Sequence, residues 1–185
     1  LYISLVSSAY VSKTNFTDNI CDEKGGAIFI NNPANEDSSS KLLDSDSYCS
    51  IKECIFEGNK AKLGGAIYTY SLSSNDFVNI LDCTFSNNIV SNEHYAGSSI
   101  FMIAKSSNIK GNNFKDNKGE SILTIYNNFE SETQKQSSSR ANDDNILVTD
   151  CKFESNVETK CCVYYVLGNV SSHCEVNNCV FEGKL

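Results

Sequence analysis

Residues 51–67 read IKECIFEGNKAKLGGAI, and both halves of this stretch recur along the 185-residue chain. The first half has the pattern Ile/Val-x-x-Cys-x-Phe-x-x-Asn, and the second half is Gly-Gly-Ala-Ile. Fixed-period repeats of this length are typical of solenoids, in which each unit stacks on the next. The repeat therefore decides the fold class.

Three positions of the first half recur at a spacing of about 29 residues. The phenylalanines are Phe16, Phe56, Phe85, Phe114, Phe153 and Phe181. The asparagines are Asn19, Asn59, Asn88, Asn117 and Asn156. The cysteines two residues before a phenylalanine are Cys54, Cys83, Cys151 and Cys179, with Thr14 and Asn112 in the other two copies.

The second half recurs with less fidelity. Its copies are residues 25–28, 64–67, 97–100, 119–122 and 160–163, and Leu1-Tyr2-Ile3 fits the tail of one more. The short Ile-, Val-, Phe- and Tyr-rich runs between Gly, Asn and Ser turns predict strands. Such strands bury a face only by stacking in parallel, so we predict an all-β, right-handed parallel β-helix of about six coils.

Each recurring residue type has an expected place in the coil. The phenylalanines should form an inward core column, and the glycine pair should form a tight corner. The asparagines should form a turn ladder at a corner where the backbone is left-handed, with each amide bonding to the next coil.

Two units are about ten residues longer than the others. The extra residues fall at about 31–50 and 127–145, in the same segment of the repeat, so both loops should leave one edge of the solenoid. Such insertions mark a binding face or are loop growth with little entropic cost. We expect residues 1–185 to be a single β-helix segment that is cut in mid-repeat at both ends.

The nine cysteines allow more than one interpretation. A column position favours small, buried, reduced side chains, although neighbouring coils could bring two sulfurs together. Spacing also allows local disulfides Cys49–Cys54 and Cys174–Cys179. No metal site is expected, because neither His94 nor His173 lies in a ligand pattern.

Composition narrows the range of functions. A net charge of −8 opposes nucleic-acid binding, and no apolar run is long enough to span a bilayer. Two sequons, at Asn15 and Asn169, indicate N-glycosylation and a secretory route.

Catalysis has little support in the sequence. Asp82 and Asp150 precede column cysteines, but Glu53, Gly111 and Asn178 take the equivalent places. Acidic pairs that could bind calcium occur in the long loops, at Asp44 and Asp46 and at Asp143 and Asp144. We expect no catalytic residues, no metal and no cofactor.

Gly-Gly-Ala-Ile together with Phe-x-x-Asn resembles the polymorphic membrane protein repeats of chlamydial autotransporters and related β-helix surface proteins of parasitic protists such as trichomonads. The resemblance implies a non-catalytic, surface-exposed adhesive segment that binds protein or glycan partners, or neighbouring repeats, through outer strand faces and loops. Its expected location is the cell surface or the secreted fraction. An intracellular filament or axoneme-associated protein is the alternative, and a polysaccharide lyase or hydrolase is a third.

Overall fold

A computed structural model describes residues 1–4, 8–32, 48–71, 77–91, 94–127, 145–154, 159–167 and 173–183. The first three coils contain β1 (Tyr2–Ser4), β2 (Ser8–Ser12), β3 (Asn15–Thr17), β4 (Ile28–Asn32), β5 (Tyr48–Lys52), β6 (Ile55–Glu57), β7 (Lys60–Ala61), β8 (Ile67–Ser71), β9 (Phe77–Leu81), β10 (Thr84–Ser86) and β11 (Ile89–Val90). The last three contain β12 (Ile100–Ile103), β13 (Ser106–Lys110), β14 (Asn113–Lys115), β15 (Ser121–Asn127), β16 (Asn145–Thr149), β17 (Lys152–Glu154), β18 (Cys161–Leu167), β19 (His173–Asn177) and β20 (Val180–Glu182).

The strands form three parallel sheets of six strands each. Sheet A has the order β1-β4-β8-β12-β15-β18, sheet B has β2-β5-β9-β13-β16-β19, and sheet C has β3-β6-β10-β14-β17-β20. Each coil contributes one strand to each sheet, and β7 and β11 add a short pair at a corner. The predicted parallel β-helix of about six coils is therefore confirmed.

The core consists of columns of inward side chains. In sheet A one column runs Ile28, Ile67, Ile100, Leu123 and Val163. In sheet B one runs Val11, Ile51, Ile80, Ile109, Val148 and Val176. Successive residues of a strand point to opposite faces, so a parallel in-register stack repeats the same residue type along the axis.

The connections from sheet A to sheet B include both long insertions. Residues 31 and 32 belong to β4, and residues 48–50 belong to β5. Likewise residue 127 ends β15 and residue 145 begins β16. The expected loop bounds were therefore too wide. Residues 33–47 and 128–144, which lie outside the described part of the chain, both join a sheet A strand to a sheet B strand.

The alignment of the fourth glycine segment was wrong by one residue. Ile100 pairs with Leu123, not with Ile122, so the counterpart of Gly97-Ser98-Ser99-Ile100 begins at Glu120. Asn117 and Glu120 are only three residues apart, and β15 begins at Ser121. The shorter corner has no room for the glycine turn of the earlier coils.

Candidate functional site: corner ladders and outward faces

The phenylalanines stack ring on ring along the axis. Ring centroids of Phe56 and Phe85 are 4.8 Å apart with planes at 5°, and those of Phe85 and Phe114 are 4.9 Å apart at 13°. Phe56, Phe85, Phe114 and Phe153 are fully buried, whereas Phe181 is 53% exposed. Each buried ring contributes about 2 kcal/mol through apolar burial.

The asparagines form a continuous amide ladder. Oδ1 of Asn88 accepts both the backbone N–H and the side-chain amide of Asn59, each at 3.0 Å. Nδ2 of Asn88 donates to the carbonyl of Phe56 at 2.9 Å and to Oδ1 of Asn117 at 3.0 Å. All four hydrogen-bonding sites of this buried amide are used, which is what burial of a polar group requires. Asn156 lies outside the described residues.

The left-handed backbone is not at the ladder asparagines, as was expected, but one residue earlier. Asp18, Gly58, Asn87 and Asp116 have φ of 54°, 65°, 56° and 54°. These are residue types that tolerate the left-handed region. The turn places the following asparagine inside the coil, where its amide meets the next coil.

The cysteine column is a second ladder at the neighbouring corner. The Cys83 thiol donates to the Leu81 carbonyl at 3.1 Å, as the Thr14 hydroxyl does to Ser12 at 2.8 Å. The Cys83 Sγ also accepts the Cys54 backbone N–H at 3.4 Å. Cys83 and Thr14 therefore make the same hydrogen bond across the same tight turn.

All nine cysteines are free, so neither local disulfide is formed. Cys49 and Cys174 point inward from sheet B, whereas Cys54 and Cys179 lie at the corner. Each proposed pair therefore belongs to two different columns. Its corner thiol is held by the carbonyl two residues back, at 3.3 Å for both Cys54 and Cys179.

Burial suppresses ionisation of the interior thiols. It raises the pKa of Cys49 and of Cys83 to about 12, and the pKa of Cys151 and of Cys174 to about 11. A thiolate is the nucleophile and metal-binding form of cysteine. These four groups are therefore poor nucleophiles and poor ligands at neutral pH.

The acids that precede column cysteines occupy a second left-handed corner. Glu53, Asp82, Gly111, Asp150 and Asn178 have φ of 54°, 52°, 67°, 54° and 51°. The Asn178 amide donates to Asp150, and this hydrogen bond, with Lys110 nearby, lowers the pKa of the carboxyl. Backbone conformation thus accounts for the Asp, Asn and Gly at this corner.

No group of three or more potential metal ligands converges in the described part of the chain. Asp44, Asp46, Asp143 and Asp144 lie outside it. No helix long and apolar enough to cross a bilayer occurs in the described ranges.

The first sequon lies on the outside of the rod. Asn15 and Thr17 flank the inward Phe16 in β3, and both are exposed on the outer face of sheet C. The asparagine side chain is therefore accessible although its neighbour belongs to the core. Asn169 lies outside the described residues.

On the side of sheet A away from the core columns lies a set of aromatic side chains that sequence reasoning missed. One outward column runs Tyr2, Phe29, Tyr68, Phe101, Thr124 and Tyr164, and its neighbour runs Ser4, Asn31, Tyr70, Ile103, Tyr126 and Val166. We call these two columns the aromatic face. The signal was present in the sequence, since Phe29, Tyr68 and Phe101 each directly follow the isoleucine of the glycine segment.

The rings of the aromatic face stack on one another. Tyr68 and Phe101 have centroids 5.4 Å apart and planes at 7°. Where Thr124 interrupts the column, the Tyr95 ring stacks on Tyr164 at 4.1 Å, and the Tyr95 carbonyl accepts the Thr124 hydroxyl at 2.8 Å. Tyr68 and Phe101 are only 3% and 8% exposed, so the middle of this column offers little accessible surface.

The fold and its two ladders define the class of protein, a parallel β-helix built from stacked sequence repeats. Residues 13–31 and 53–70 match the Chlamydia polymorphic membrane protein repeat. Each matched segment contains one Phe-x-x-Asn, one ladder asparagine and one glycine corner. The chain therefore carries two segments similar to the repeats of that surface-protein family. No curated protein and no solved structure matches the chain.

Proposed function

We propose that this chain is a non-catalytic structural and adhesive segment of a surface protein that binds a protein partner through its outward strand faces. The match of two segments to the polymorphic membrane protein repeat carries the proposal. The resemblance to trichomonad surface proteins points to the same role.

The use of the side chains supports this proposal. Inward residues fill columns, and the corner amides and thiols make hydrogen bonds with neighbouring coils. The acids beside the column cysteines are explained by the left-handed corner. The side chains on the outer surface of the rod are therefore the ones that remain to bind a partner.

A protein partner fits the aromatic face better than a glycan. Sugars bind aromatic residues through the open face of a ring, and here Tyr68 and Phe101 turn their faces toward neighbouring coils. The half-buried Tyr70, Ile103 and Tyr126 of the second column are apolar groups that suit the centre of a protein interface.

Adhesion is tested by measuring binding of fluorescently labelled chain to a panel of cultured cells, with lysine substitutions on one sheet face at a time. Tyr70→Lys alters sheet A, Asn108→Lys alters sheet B and Thr84→Lys alters sheet C. We expect saturable binding that at least one of these variants reduces about tenfold while the fold is retained. No saturable binding to any cell type would contradict the proposal.

A surface location is tested by intact mass spectrometry of the native protein, with and without enzymatic deglycosylation. The exposed Asn15 side chain makes glycosylation in a eukaryotic secretory route feasible. For a protein made in a eukaryotic secretory route, we expect a glycan on Asn15 or Asn169.

The intracellular alternative rests on one observation, the nine free cysteines. Free thiols persist in reducing compartments. Nine alkylatable thiols and no glycan in protein isolated from its native source would favour an intracellular structural rod over a secreted adhesin.

A further inference from the structure

We propose that Cys151 and Cys179 form a site of oxidative modification, at which a peroxide joins the thiols of two neighbouring coils in a disulfide. Both residues lie at the corner between sheet B and sheet C. The site differs from the local pair Cys174–Cys179, whose members belong to two different columns. It goes beyond the proposed adhesive role and does not depend on it.

The register of the coils places the two cysteines side by side. Lys152 of β17 pairs with Val180 of β20, and the Val180 backbone N–H donates to the Cys151 carbonyl at 2.9 Å. Neighbouring coils are about 4.8 Å apart, which lies within the Cα separation of about 4.4–6.8 Å that a disulfide spans. A bridge between Cys151 and Cys179 therefore requires rotation of the two side chains and only a small shift of the backbone.

The two thiols already contact one another. The Cys151 thiol donates to the Thr149 carbonyl at 3.3 Å, and the Cys179 thiol approaches the Val148 carbonyl of the same strand at 3.5 Å. Burial raises the pKa of Cys151 to about 11, and a hydrogen bond with the Cys179 thiol adds to this increase. The contact between the sulfurs is the starting geometry for a disulfide.

Exposure distinguishes this pair from the other pair in the cysteine column. Asn112 divides that column into two adjacent pairs, Cys54 with Cys83 and Cys151 with Cys179. Three of these four cysteines are 1% exposed, and Cys179 alone is only partly buried. A peroxide molecule in the solvent can therefore reach Cys179 and not the other three thiols.

The oxidation takes place in two steps. The Cys179 thiolate attacks an oxygen of hydrogen peroxide, so that an S–O bond forms, the O–O bond breaks, and the departing hydroxide takes up the thiol proton as water. The Cys151 sulfur then attacks the sulfenic acid, so that the S–S bond forms, the S–O bond breaks, and a second water leaves with the Cys151 proton. The two thiols lose two electrons and two protons, and the peroxide is reduced to two waters.

Peptide mapping of the peroxide-treated chain tests the proposal. The reduced chain is treated with hydrogen peroxide, its remaining thiols are alkylated, and it is cut with trypsin and an endopeptidase that cleaves after glutamate. These cuts leave Cys151 as the only cysteine of residues 141–152 and Cys179 as the only cysteine of residues 176–182. We expect these two peptides to be linked in a monomer, at a mass two hydrogen atoms below the sum of the reduced peptides. The buried pair Cys54–Cys83 should link at least about tenfold more slowly.

Serine variants separate the roles of the two thiols. In Cys179→Ser, Cys151 should stay reduced, because the accessible sulfur is gone. In Cys151→Ser, Cys179 should stop at the sulfenic acid, which dimedone traps as a stable adduct. The matched control is Cys161→Ser in sheet A, where Cys161 is also partly buried, and its link should form at the parent rate. If circular dichroism shows that Cys151→Ser does not fold, Cys179→Ser decides the assignment.

The disulfide should also restrict local opening of the coil that contains β20. Hydrogen exchange at the Val180 amide, which donates to the Cys151 carbonyl, should be at least about tenfold slower in the oxidised chain than in the reduced chain. Dithiothreitol should restore the faster exchange.

Four outcomes would overturn the proposal. These are the absence of the linked peptides at every peroxide concentration that leaves the fold intact, a link found only in a covalent dimer, equal rates for the two pairs of the column, and a disulfide between Cys174 and Cys179 instead.

Discussion

Asn59 and Asn88 lie 29 residues apart in the chain and share one hydrogen-bonding oxygen: Oδ1 of Asn88 accepts both the backbone N–H and the side-chain amide of Asn59. The same two bonds join Asn88 to Asn117. One buried amide per coil therefore supports the backbone of the coil before it.

Asn88→Ala should destabilise the fold by about 2–4 kcal/mol. The substitution leaves the Asn59 backbone N–H and the Phe56 carbonyl without their side-chain partner, and unsatisfied buried groups cost about 1–3 kcal/mol each. Urea unfolding followed by circular dichroism measures the change. The matched control is Asn108→Ala on the outer face of sheet B, expected within about 0.5 kcal/mol of the parent. Equal effects for the two variants would contradict the ladder's role.

Phe85→Ala should cost about 3–5 kcal/mol, because it opens a cavity between two stacked rings. Phe181→Ala removes the same side chain from a position that is 53% exposed and should cost much less. Thermal unfolding of both variants gives the comparison. If the two were equally destabilised, the ring stack could not be the source of the effect.

Gly65→Ala should destabilise by at least about 3 kcal/mol or prevent folding. A Cβ at this position would lie 2.2 Å from the Ser98 carbonyl oxygen of the next coil, and backbone cannot move aside without breaking the coil spacing. Gly111→Asn is the contrasting variant. Its Cβ would meet the Asp82 carboxylate, which can rotate away, and asparagine tolerates the left-handed backbone. We expect Gly111→Asn to fold with near-parent stability, as judged by its melting temperature.

Stability should fall as the pH rises above about 9. Burial raises the pKa of the folded Cys49 and Cys83 thiols to about 12 from an ordinary value of 9.0, so the unfolded chain loses these protons first. The native state binds more protons between these values, and each such thiol lowers the unfolding free energy by up to about 1.4 kcal/mol per pH unit. Urea midpoints from pH 7 to pH 10.5 measure this slope.

Cys49→Ala should reduce that slope, because it removes one of the buried thiols. A buffer series on the variant separates the thiol from the lysine and tyrosine titrations that the parent shares with it. An unchanged slope in Cys49→Ala would show that this thiol does not govern alkaline unfolding.

The columns and coils could be predicted from the sequence, because parallel in-register stacking places the same residue type at the same position of successive coils. Phe56, Phe85 and Phe114 are each 29 residues apart, and that spacing alone predicts a column and a coil. In the structure Phe56 pairs with Phe85, and Phe85 pairs with Phe114, as that spacing predicts.

The corners were harder to predict, since their geometry depends on backbone angles and not on hydrophobic period. The left-handed turn falls at Asn87 and not at Asn88, and two adjacent asparagines give no means of choosing between them. The aromatic face was missed for another reason. Strand alternation shows that Tyr68 and Ile67 point in opposite directions, but both are apolar enough to be core residues.

The shared spacing of 29 residues has a consequence for the history of the chain. Unequal recombination that duplicates or deletes one whole unit would lengthen or shorten the rod by about 4.8 Å. Every column would stay in register, because each coil presents the next one with the same set of partners. Insertion of a single residue between Cys54 and Asn59 would put the cysteine and asparagine positions of that coil out of phase with each other. Genes for such rods can therefore vary readily in unit number while the spacing inside each unit stays fixed.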